Sequence, residues 1–125
     1  MERETQIKSK KRIVEHGEVF TSDREVKAML DLVKDETQRI ESRFLEPACG
    51  NGNFLVEILR RKLEIVSQRY GKNKLDFERY AVIAVGSIYG VELLIDNVIE
   101  CRERLFSILF KFYSERFSCD GSQKY

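Results

Sequence analysis

Residues 45–54, LEPACGNGNF, set two glycines, two asparagines, a proline and a carboxylate between two apolar stretches. Small residues at this density suit a strand-to-helix connection whose backbone passes close to a neighbour. On the N-terminal side, SRFLEP reads as a short buried strand ending near Glu46. Pro47, the only proline in the chain, cannot donate to a ladder and stops it. On the C-terminal side, Asn51 or Asn53 can cap a helix that carries Leu55, Ile58, Leu59, Leu63, Val66 and Tyr70 on one face.

Upstream, Ser22 and Glu25 have capping-box spacing, and Val26, Met29, Leu30 and Val33 form one helical stripe. The pattern predicts a helix from about Asp23 to about Thr37. Downstream, YGKNK is a turn. Phe77, Tyr80, Ala81, Ala84 and Ile88 keep helical spacing, predicting a helix from Asp76 to Val85 closed by Gly86. IYGVEL is a second short strand, with Glu92 near its C-terminal end, and a last helix runs from about Ile95 to Phe117. Strand, helical crossover, strand implies two parallel strands in right-handed connection, half of a nucleotide-binding α/β unit.

The loop's chemistry narrows the ligand. A dinucleotide cradle wants a third glycine where Leu55 stands, and an acid about 20 residues on; here Glu92 lies 40 residues beyond Gly52. No Gly-Lys-Ser/Thr follows, so a Walker-type phosphate loop is excluded. Glu46 at the mouth would repel a phosphate and attract an ammonium or sulfonium group. Glu92 is placed to accept from both hydroxyls of a ribose. Each feature also has a plain structural reading: a tight turn with no ligand, and a solvated strand end. Two acids at the C-terminal ends of neighbouring parallel strands, beside a glycine loop, say more together than either alone.

FLEPACGNGNFLVEIL closely resembles the cofactor loop of N6-adenine DNA methyltransferases of restriction–modification systems. Their common form is Asp/Glu-Pro-Ala-Cys-Gly-x-Gly-x-Phe-Leu, and Glu46 through Leu55 match it throughout. IYGVELLIDNVIECRERL is similar to the family's second, ribose-holding motif. HGEVFTSDREVKAMLDLV resembles the segment that precedes the loop. The resemblance covers roughly Gly17 to Leu105. It implies an α/β, truncated Rossmann-like methyltransferase fold, helix-rich with a small parallel sheet, that binds S-adenosyl-L-methionine. Residues 1–17 would be a polar tail, 18–117 the incomplete cofactor-binding subdomain and 118–125 a second tail.

Carried over residue by residue, the resemblance puts Phe20 and Thr21 by the methionine moiety. Glu46, Ala48, Gly50 and Gly52 line the methionine and ribose side, and Asn53 and Phe54 border the same pocket. Glu92 takes the ribose hydroxyls and Leu93 packs on the adenine. Ser22 stands where most relatives have proline. Cys49 matches a family position but reads as a small buried residue rather than a nucleophile.

The family transfers its methyl group at an Asn/Asp/Ser-Pro-Pro-aromatic motif against a flipped adenine. With its single proline at Pro47, this chain cannot contain that motif, so no catalytic residue is assigned and the chain alone is expected to be inactive. The implied function is the cofactor-binding fragment of a site-specific adenine DNA methyltransferase, without a target-recognition domain. The alternatives are a non-catalytic oligomeric remnant, or a subunit of an RNA or protein methyltransferase.

Composition agrees with a small soluble domain: 125 residues, 42% hydrophobic, 34% charged, formal net charge +1. That charge gives no footprint for nucleic acid or a membrane surface; the family resemblance, with its catalytic motif missing here, implies DNA as a partner only of a complete enzyme. The basic cluster Lys8, Lys10, Lys11 and Arg12 reads as a solvated tail, with nucleic-acid contact the competing use. Three cysteines without CxxC spacing (Cys49, Cys101 and Cys119) speak against a disulfide framework or structural zinc and for a cytoplasmic chain. No metal site is expected. His16, the only histidine, reads as solvated or locally bonded.

The last helix carries two apolar stripes. One is Leu94, Val98, Cys101, Leu105, Ile108 and Phe112; the other is Ile99, Phe106, Phe110, Tyr113 and Phe117. One stripe should cover the sheet. The other calls for a partner, either a second copy or a complementing catalytic chain.

Overall fold

A computed structural model describes residues 21–117. The elements run α1 (Asp23–Asp31), α2 (Lys34–Thr37), β1 (Phe44–Glu46), α3 (Asn53–Tyr70), α4 (Lys74–Gly86), β2 (Ile88–Gly90) and α5 (Ile95–Arg116). The strands pair in parallel, Phe44 with Ile88, Leu45 with Tyr89 and Glu46 with Gly90. The class is α/β, helix-rich with one two-stranded parallel sheet, as the sequence predicts. No helix among the described residues is long and apolar enough to cross a membrane. The basic cluster, His16, Phe20, Cys119 and both tails lie outside the described residues.

Helix α3 is the axis of the core. Its Leu59, Leu63 and Val66 are buried with Ile40, Phe77, Ala81 and Ala84, and Leu105, Ile108, Leu109 and Phe112 of α5 pack against them. A second cluster joins Val26 and Leu30 of α1 to Ile58, with Phe44, Phe54 and Ile88 against it. Alternation along the strands turns Phe44 and Ile88 inward, while Leu45 and Tyr89 are exposed. The expected apolar stripe of α5 therefore packs on α3 rather than over the sheet. Its other stripe divides. Ile99, Phe106 and Phe110 are exposed, but Tyr113 and Phe117 lean on Phe77, with ring centroids at 6.1 and 5.3 Å.

Local expectations are corrected at three helices. The helix expected over 23–37 breaks at Leu32–Val33. Leu32 and Val33 donate back three residues, to Met29 and Leu30, and Val33 leaves the helical region at φ −121°. Beyond the break Thr37 and Ile40 are buried, whereas Met29 and Val33 of the expected stripe are exposed. Gly52, not Asn51 or Asn53, is the N-cap residue of α3. Helix α4 begins at Lys74 because Asn73 Oδ1 accepts from the Asp76 amide at 3.1 Å. It ends with Gly86 still helical and Ser87 as the C-cap, in right-handed conformation, so Gly86 is not the left-handed stop the sequence suggests. The cap at Ser22 is as read: its Oγ accepts from the Glu25 amide at 3.3 Å.

The starts of both strands are fastened by Lys62 of α3. Its side chain is fully buried. The ammonium donates to the carbonyls of Ile40 (3.0 Å) and Ser42 and to the Ser87 hydroxyl, and it lies 5.3 Å from the centre of the Phe44 ring. A buried cation persists only with such partners.

Candidate functional site

At the opposite, C-terminal end of the sheet the ladder continues past the strands. The Val91 amide donates to Glu46 O and the Cys49 amide to Val91 O, both at 3.0 Å. The loop after β1 is thereby stitched to the segment after β2. This brings Glu46, the glycines and Glu92 to one end of the molecule. The turn closes with Gly52 N donating to Cys49 O at 2.9 Å. Gly50 (φ 54°) and Gly52 (φ 94°) both take left-handed backbone conformations.

At this end close packing demands two glycines. A Cβ on Gly52 would sit 2.5 Å from Cys101 Sγ, and one on Gly90 would sit 2.6 Å from Leu55 Cδ1 and 2.9 Å from Cys49 Sγ. So α5 supports the loop from beneath, through Cys101. Burial pushes the Cys49 thiol up to about 11, with Cys101 and Glu92 adding to the effect, and burial also raises Cys101. Neither is a ready nucleophile at neutral pH, in keeping with the structural reading of Cys49.

The two acids differ in their engagement. Glu46 Oε1 accepts from the Ala48 amide at 3.1 Å. Glu92 Oε1 accepts from the amides of Leu93 (2.8 Å) and Leu94 (3.2 Å), where α5 begins without a side-chain bond from its own N-cap residue. Glu92 Oε2 has a long contact, 3.5 Å, from Asn97 Nδ2. Leu93 is 95% exposed. Phe54 packs in the α1 cluster.

Asn53 forms a joint. Its Nδ2 donates to the Thr21 carbonyl at 2.7 Å, and its Oδ1 accepts from Arg104 Nη1 of α5 at 2.7 Å. The same Arg104 nitrogen donates to Asn51 O at 3.1 Å. Asn51 Oδ1 is buried and has no hydrogen-bond partner among the described residues. Sequence reading missed Arg104, Asn51 and Asn97 as site residues. For Arg104 a signal existed: it follows Cys101 by three residues, a cation at the border of the inward stripe.

Among the described residues no group of three or more His, Cys, Asp or Glu side chains could hold a metal ion. A cavity of about 490 Å³ lies away from this end, between α4 and α5, lined by apolar residues including Val82, Val85, Phe106 and Phe110. No family model, no curated protein and no solved structure matches this chain.

Proposed function

We propose that the loop end of the sheet seats S-adenosyl-L-methionine, and that the chain is the cofactor-binding part of a Rossmann-like, adenine-specific DNA methyltransferase. The observation that supports this reading is the stitching of the two strand ends, Cys49 N to Val91 O, which brings the segments that carry both acids and the left-handed glycines to one end of the sheet. Ligands of open parallel α/β sheets bind at that end.

The residues present fit the group. Glu92 Oε2 retains acceptor capacity for ribose hydroxyls, since the backbone amides of Leu93 and Leu94 bond Oε1 and Oε2 takes the long 3.5 Å contact from Asn97 Nδ2. The buried, unpartnered Asn51 Oδ1 suits a donor such as an ammonium or hydroxyl. The exposed Leu93 offers an apolar surface for the adenine plane. Glu46 supplies negative charge near the sulfonium. When bound, the cofactor would supply the electrophilic methyl group. This chain's own residues bind and orient it, and the acceptor chemistry belongs to a complementing chain, with DNA entering only there.

Calorimetry with S-adenosyl-L-methionine tests the reading. Expected is saturable heat that Glu92→Gln weakens at least about tenfold, the value of roughly one hydrogen bond to a charged group. No heat at millimolar cofactor removes it. Methylation by the purified chain alone would overturn the division of labour. The exposed Ile99, Phe106 and Phe110 of α5 then face a second chain; light scattering that returns only a 14.7 kDa monomer counts against self-association.

A second reading has its own support. Cys101, Leu55 and Cys49 account for Gly52 and Gly90 without a ligand, and Glu92 caps the start of α5. On that reading the chain is a non-catalytic remnant, and Glu92→Gln changes stability without any ligand affinity to lose.

A further inference from the structure

We infer that Arg104 is a positioning residue for this end of the molecule: one guanidinium nitrogen on α5 holds the glycine loop and, through Asn53, the segment that enters α1. This deepens the cofactor reading and rests on it for the affinity prediction, though not for the conformational one.

Three pieces of chain converge here: α5, the glycine loop and the segment that enters α1. Arg104 Nη1 bonds the loop backbone at Asn51 O (3.1 Å) and the Asn53 side chain (2.7 Å). Asn53 passes the hold to Thr21 O (2.7 Å), 32 residues away in sequence. The amide of Asn53 has its oxygen toward the cation and its nitrogen toward the carbonyl, the only orientation that satisfies both neighbours. Charge-assisted bonds of this kind are about twice as strong as neutral ones. The loop needs such a hold. Two of its residues occupy left-handed conformations that glycine reaches and leaves freely. Helix α3 begins there with no side-chain cap bond. Ordering the loop before a ligand arrives raises the fraction of molecules competent to bind, and apparent affinity scales with that fraction.

Both bonds use one nitrogen, so a lysine ammonium can replace them, whereas methionine cannot. The test compares the full chain with Arg104→Met, Arg104→Lys, Asn53→Asp and Tyr113→Phe. The last removes the Tyr113–Glu78 bond (2.7 Å) between α4 and α5, remote from the loop, and controls for general loosening of α5. Hydrogen exchange is read without ligand, and S-adenosyl-L-methionine affinity by calorimetry.

Arg104→Met should accelerate exchange across 49–54 and 21–24 and weaken affinity about tenfold. Arg104→Lys should recover most of both, and Tyr113→Phe should leave both unchanged. Asn53→Asp keeps the acceptor for Arg104 but loses the donor, so exchange should rise at 21–24 alone. Unchanged exchange in Arg104→Met, or a loss that lysine does not recover, overturns the inference. Wild-type protein that binds no cofactor overturns the proposed function instead, and the exchange arm still decides the role of Arg104. If Arg104→Met does not fold, the lysine and Asn53→Asp variants carry the same decision.

Discussion

The two ends of the two-stranded sheet are chemical opposites. Where the strands begin, a buried ammonium, Lys62, gathers two carbonyls and a hydroxyl and leaves water no place. Where they end, carboxylates stand beside left-handed glycines, a buried amide oxygen lacks a partner among the described residues, and Leu93 lies open. One end is satisfied internally and the other has bonding capacity to give. In a parallel sheet this asymmetry separates the groups that hold the fold from those free to meet a ligand.

The contrast breaks if the closed end proves dispensable. Lys62→Met should lower unfolding free energy by about 3 kcal/mol, because two buried acceptors and one half-buried one lose their donor. Urea denaturation measures it, and a loss below about 1 kcal/mol would refute the clamp. Gly52→Ala should lose about 2–3 kcal/mol from left-handed strain plus the clash with Cys101. Adding Cys101→Ala should return the clash component, and a double-mutant cycle with no coupling would deny the contact.

A pH series sharpens the contrast further. Burial pushes Lys62 down to about 8, against the pull of Glu41 and Glu36. Between about 8 and the ordinary lysine value the unfolded chain binds more protons than the folded one, so this group's contribution to stability rises with pH. The difference between wild type and Lys62→Met should therefore widen across that window, by up to about 1.4 kcal/mol per unit. Paired urea midpoints at pH 7 and 9.5 check it, and the comparison cancels other titrations such as that of Cys49.

At the open end the smallest stability effect is expected. Glu46→Gln keeps an acceptor for the Ala48 amide and should change unfolding free energy by no more than about 0.5 kcal/mol, while weakening binding of the proposed cofactor. A large destabilisation there would make Glu46 a structural residue.

Much of this plan is legible in the sequence because it rests on local rules. Pro47 ends β1, the Ser22 hydroxyl starts α1, and the apolar spacing of α3 fixes its buried face. What escaped depends on contacts across long separations. No pattern within 23–37 announces that Ile40 must turn into the core. A lysine at position 62, on the apolar face of a helix, looks like a solvated residue until three acceptors from two distant segments surround it. Asn53 resembled a cap or a pocket wall, and only the approach of Arg104, 51 residues on, makes it a joint. Likewise Gly86 fits a helix stop by type, yet Ser87 takes that place through its bond to the Ala84 carbonyl.

The pinning of both strands at their origins also makes each three-residue strand a ruler. Where the Glu46 carboxylate emerges depends on the count of residues from the Lys62 anchor as well as on the ladder bond that Glu46 O accepts from Val91. Adding or deleting one residue between Arg43 and Glu46 would leave the anchor and the helices as they are, yet turn the acid to the other side of the sheet. The molecule therefore tolerates no drift in the length of its shortest elements, whatever latitude its helices enjoy.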